Sequence, residues 1–163
     1  MQFDLVRNQH LHSNDRHGAS YHDPRLGMFQ TTASFIMTPK TVLDVGNCGP
    51  DHSAISAMLR KHFDVEILRS DQWSDTLAIL ERQPVDLILI NRKLDIDYSD
   101  GMEILREIKR SEAFGHIPVM LITNYAEHQQ QAVAQGALLG FGKLELHSPE
   151  TIERLGLILG PTP

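Results

Sequence analysis

The chain has 163 residues, 41% of them hydrophobic and 22% charged, with a formal net charge of −6. This balance suits one globular domain with a tail, and the interspersed acids and bases exclude an extended basic surface for nucleic acid. A single cysteine, Cys48, excludes a disulfide framework and a cysteine-built zinc site, and no apolar run is long enough to span a bilayer.

Residues 1–36 show neither helical nor alternating periodicity and lack the apolar segment of a signal peptide. They are expected to be a disordered or loosely attached extension, with Met37 opening the domain proper, 37–163. The missing leader and lone thiol point to the cytoplasm. His10, His12, His17 and His22 fall in this extension, but a flexible tail fixes no metal geometry.

From Thr41 the pattern alternates strand and helix five times. TVLDV (41–45) reads as a first strand, followed by a helix with Ala54, Ile55, Met58 and Leu59 on one face and Asp51 as its cap. VEIL (65–68) is a second strand, and the helix after it, from about Gln72 to Arg82, stops before Pro84. DLILI (86–90) is a continuous apolar run, as expected of a central parallel strand. Asp100 and Glu103 form a capping-box-like start to a helix over Gly101–Arg110. VMLIT (119–123) is the fourth strand, followed by a polar helix, about Ala126–Gln135, ended by Gly136. LLGFG (138–142) is the fifth strand, and a last helix, about Pro149–Leu159, is capped by Ser148. Such alternation predicts an α/β, doubly wound parallel sheet with helices on both faces. Its crevice lies at the C-terminal ends of the central strands, at Gly46–Asn47, Asn91, Thr123–Asn124 and Lys143.

Four segments, PKTVLDVGN, VDLILINRKLDIDYSDGMEIL, IPVMLITN and QGALLGFGK, stand in the order and places found in response-regulator receiver domains. Over residues 39–160 the chain resembles that family. The resemblance implies a flavodoxin-like (βα)5 sandwich with five parallel strands in the order 2-1-3-4-5. It also implies where the phosphotransfer groups should stand: an acidic pair at Gly46 and Asn47, a phosphate-accepting aspartate at Asn91, a hydroxyl at Thr123 followed by Asn124, and a lysine at Lys143.

Three of these positions have lost their charge. Magnesium wants charged oxygen ligands, and an amide is a far poorer nucleophile than a carboxylate. The expectation is therefore a degenerate receiver with no catalytic residue, no metal and no cofactor. Lys143 then needs another partner: backbone carbonyls or the Asn91 side chain, or else an anion shared with Thr123. Asp44, within the first strand, is expected to be a structural acid that can approach Lys143 or a helix N-terminus. A two-residue shift of the first strand would instead place it at an acid position; the unshifted register fits Pro39, Val42 and Leu43 better. The acids Asp95, Asp97 and Asp100 form a solvated loop with Asp100 as helix cap, since a calcium loop would need a central glycine and a terminal glutamate. The aromatic that family members swing as a switch should stand at Gly140, whereas Phe141 is its neighbour.

Receivers generally meet partners through their fourth helix, fifth strand and fifth helix. The resemblance thus implies a phosphorylation-independent module that binds a histidine kinase, another signalling protein or itself, as a homodimer. Tyr125, His128, Gln129 and Phe141 are candidate contacts. The alternatives are a response regulator phosphorylated on a non-standard acid, and a small-ligand or anion-binding α/β protein. A nucleotide-binding enzyme is disfavoured because no glycine-rich phosphate cradle follows any strand, and Cys48 as a nucleophile would need His52 as its base.

Overall fold

A computed structural model describes residues 38–160. The extension expected over 1–36, with its four histidines, lies outside the described residues. Five strands alternate with five helices: β1 (Lys40–Val45), α1 (Gly49–His62), β2 (Val65–Ser70), α2 (Trp73–Leu80), β3 (Leu87–Asn91), α3 (Gly101–Arg110), β4 (Val119–Ile122), α4 (Ala126–Ala134), β5 (Leu138–Phe141) and α5 (Pro149–Leu159). A single 3-10 turn at Lys143–Glu145 joins β5 to α5. All strand pairs are parallel, in the order β2-β1-β3-β4-β5.

The two-residue period of the strands divides the core. Val42, Leu87, Leu89, Met120 and Ile122 face α1 and α5, where Ile55, Met58, Leu59, Leu155 and Leu159 meet them. Leu43, Val45, Ile88, Ile90 and Leu121 face the other way, against Leu80 of α2, Met102, Leu105 and Ile108 of α3, and Ala132 of α4. Because β3 is covered on both faces, its unbroken apolar run is the physical requirement and not an excess. Each of these fully buried side chains contributes about 2 kcal/mol of transfer free energy.

Helix starts mark where the chain turns back toward the crevice. Asp100 caps α3 as expected, its Oδ1 accepting from Met102 N at 2.9 Å, and Ser148 caps α5 through Thr151 N. α1 differs. Cys48 is its N-cap and makes no side-chain cap bond, while Pro50 sits in the first turn, so Asp51 lies inside the helix. Asp51 is thereby free to leave its own backbone and reach across the crevice.

Candidate functional site

The register of the central strands fixes the crevice. Val45 pairs with Ile90, so Gly46 stands at the level of Asn91 at the end of the next strand. Gly46 and Asn47, where the resemblance implies an acidic pair, follow directly at the strand's end, and Asp44 lies one full pleat inside the sheet. On the β3–β4 side a cleft of about 430 Å³ opens between Asn91, Arg92, Lys93, Thr123, Asn124, Tyr125, His128 and Lys143.

Asn91 is committed to the backbone. Its Nδ2 donates to Gly46 O at 3.1 Å and to Lys93 O at 2.6 Å, tying the β1–α1 turn to the β3–α3 loop. An aspartate could make neither bond. Gly46 has φ +72°, a left-handed conformation natural to glycine, and a Cβ there would lie 2.2 Å from Leu94 Cδ2. Leu94 is only 2% exposed and cannot swing out without opening the core. The β3–α3 loop thus fills the space that an acid at position 46 would need.

Lys143 bonds neither Asn91 nor Asp44. Its Nζ donates to Asp51 Oδ2 at 2.5 Å, and Cys48 Sγ donates to the same oxygen at 3.1 Å. Burial pushes the Asp51 carboxyl up, but the hydrogen bonds from Lys143 and Cys48 and the ammonium charge outweigh it, holding it below the ordinary 3.8. Asp51, expected only as a helix cap, is the lysine's counterion. Cys48, weighed as a thiol beside His52, instead donates to that carboxylate.

Asp44 is fully buried, as a charge within a doubly covered strand must be, and it is paired. His52 Nδ1 lies 2.6 Å from Oδ2, and Asn47 Nδ2 donates to Oδ1 at 2.6 Å. The partner is a histidine on the first helix, not Lys143. Strand parity explains it: Asp44 shares a face with Val42, the face that α1 covers.

The expected partner surface changes. Tyr125 is 62% exposed and His128 is half-buried, stacked edge-on against Tyr125 with centroids 5.3 Å apart. Gln129 and Phe141 are buried, 8% and 1% exposed, and are not available to a partner. Gln129 belongs to the fold: Nε2 donates to Leu121 O and Thr123 O, and Oε1 accepts from Gly140 N. It bridges β4 and β5 where their ladder is irregular. A Cβ at Gly140 would lie 2.0 Å from Leu121 O, so the switch position has no room for an aromatic ring. Thr123 Oγ1 accepts from Tyr125 N and closes a local turn, whereas Asn124 Oδ1 accepts from Leu144 N and ties the β4–α4 loop to the 3-10 turn after β5.

No protein-family model matches the sequence, and no curated protein does. Solved structures do match. They include a chemotaxis response regulator of Vibrio cholerae, 21% identical with a TM-score of 0.56, covering 72% of this chain and 93% of that one. The signal receiver domain of a DNA-binding response regulator from Colwellia psychrerythraea is 19% identical with a TM-score of 0.63, over 72% of this chain and 96% of its own. The receiver domain of a sensor histidine kinase from Pseudomonas aeruginosa, with a magnesium ion coordinated in its active-site cleft, is 24% identical with a TM-score of 0.55, over 74% and 94%. The chain has the fold of response-regulator receivers, strand order included.

The magnesium of that fold does not fit this crevice. Gly46 has no side chain, Asn91 turns its amide to backbone, Asp51 is neutralised by Lys143, and Asp44 is sealed against His52. Asn47 Oδ1 is buried without a hydrogen-bond partner among the described residues, but one neutral oxygen does not hold a hard divalent cation. Among the described residues no three histidine, cysteine, aspartate or glutamate side chains converge on a metal site, and no helix is long and apolar enough to cross a membrane.

Proposed function

We propose that the chain is a receiver-type signalling module that works without phosphorylation and without enzymatic activity, by binding a protein partner in a two-component-type pathway of the cytoplasm. The observation that carries this reading is Asn91: both amide hydrogens are spent on the carbonyls of Gly46 and Lys93, so the phosphoacceptor position holds two loops together. The other groups support it. The lysine that would neutralise a phosphoryl group has its own carboxylate, and the switch aromatic is replaced by Gly140 with Gln129 locked behind it.

With the chemistry gone, what remains of the fold is surface. Tyr125 at the N-cap of α4, Val133 on α4, Leu138 and Leu139 on β5 and Leu157 on α5 are between 43% and 84% exposed, an apolar set on the elements receivers present to partners. Incubation with a small phosphodonor and magnesium, followed by intact-mass measurement, should leave the mass unchanged. An acid-labile phosphoryl increment mapping to any carboxylate, Asp51 being the one in the crevice, would overturn the reading. Capture of signalling partners by the full chain should be lost in Leu139→Glu/Leu157→Glu; equal capture by both proteins would exclude this face.

A further inference from the structure

The β3–α3 loop and the cleft beside it are complementary to each other. The loop projects two acids, Asp95 and Asp97, and two apolar side chains, Ile96 and Tyr98, which are 56% and 74% exposed. The adjoining cleft is lined by Arg92, Lys93, His128 and Lys143, with Ile122 and Tyr125 as apolar wall and no carboxylate among its lining residues. Lys93, Asp95 and Asp97 take part in no ion pair among the described residues, in contrast to Arg92 and Lys143, which pair with Asp100 and Asp51.

The loop is also rigid for its exposure. Leu94 anchors it in the core, Asp95 N donates to Gly46 O, Leu94 N to Ser99 O, and Tyr98 N to Leu94 O, while Asp97 Oδ1 accepts from Ser99 N. Tyr98 is held at φ +58°, an unusual conformation for a bulky residue. Little conformational entropy remains to be lost when such a loop docks.

An acidic apolar knob beside a basic apolar socket is self-complementary about a two-fold axis between them: the knob of one copy enters the socket of the other, and the reverse contact follows by symmetry. We propose that a second copy of this chain occupies the cleft, forming an isologous dimer across the C-terminal ends of the strands. This contact shares Tyr125 and His128 with the α4 end of the α4–β5–α5 face but is centred on the β3–α3 loop, and its test does not touch Val133, Leu138, Leu139 or Leu157.

The test is sedimentation of the full chain with a charge swap. The wild type should run at twice the chain mass in low salt and dissociate as salt is raised, since exposed pairs are screened. Asp95→Lys, whose carboxylate makes no bond within the loop, and Lys93→Glu, which gives up only the 3.3 Å bond from Nζ to Tyr98 O, should each run as monomers with unchanged circular dichroism. Mixed in equal amounts they should recover the doubled mass, because the lysine knob of one then meets the glutamate socket of the other. A wild type that stays monomeric over the whole concentration range, or a dimer indifferent to both substitutions, or a mixture that fails to reassociate, overturns the proposal.

Discussion

Replacing Asn91 by aspartate removes two donors at once. The bonds to Gly46 O at 3.1 Å and Lys93 O at 2.6 Å are lost, and a carboxylate oxygen is left facing two carbonyl oxygens. At about 1 kcal/mol for each hydrogen bond, with about 1 more for Lys93 O left without a donor while Gly46 O keeps Asp95 N, the variant should be about 3 kcal/mol less stable. For a folded part of this size that lowers the melting temperature by about 10 °C. Differential scanning calorimetry at neutral pH measures it. The same sample, given a small phosphodonor and magnesium, should gain no phosphoryl mass, because position 46 still has no acid and Lys143 is still held by Asp51. A variant at least as stable as the wild type, or one that takes up a phosphoryl group, would refute the view that the amide is a structural tie.

Lys143→Ala should cost about 1 kcal/mol at neutral pH, the worth of a half-exposed pair. Because the folded Asp51 carboxyl is held below its ordinary 3.8, that stabilisation is complete above this value and is lost as pH falls through the folded one, so urea midpoints of the two proteins should converge only in acid. Gln129→Ala removes three bonds from a buried side chain and should cost about 3 kcal/mol by chemical denaturation; a cost under about 1 would return Gln129 to the surface set. His52→Ala strands a fully buried carboxylate with only Asn47 beside it and should cost about 3–5 kcal/mol, more than Asp44→Asn, which leaves a half-buried histidine that water can reach. The opposite order in paired denaturation curves would count against an ionic contact.

The order and faces of the strands were legible in the sequence because apolar runs and turn residues are local signals. DLILI could only be a central strand, and Ser148-Pro149 could only open a helix. That Asn91, Thr123, Asn124 and Lys143 come round one cleft was legible too, since each follows a predicted strand. Partner choice within the crevice was not, since it depends on reach across the fold. Nothing local to Asp51 says that it meets a lysine 92 positions away, and its place after Gly49-Pro50 made a cap the economical reading. Asp44 was recognised as a buried acid needing a partner, but choosing His52 required knowing that α1 covers that face. Gln129 misled for a different reason. In AEHQQQAVAQ three glutamines follow one another, and only the helix phase against β4 and β5 decides which is buried.

Gly46, Asn91 and the β3–α3 loop are not independent of one another. Gly46 O accepts from both Asn91 Nδ2 and Asp95 N, while the missing side chain of Gly46 leaves the space that Leu94 fills. One carbonyl therefore couples Asn91, Gly46 and the β3–α3 loop. Introduced singly, an acid at 46 would meet Leu94 and an acid at 91 would meet the carbonyl, so neither substitution alone should permit phosphotransfer. The same hub holds the loop that carries Asp95, Ile96, Asp97 and Tyr98 outward. What ties Asn91 down and what shapes the exposed loop are one arrangement of backbone, and a substitution that loosens the first should disorder the second.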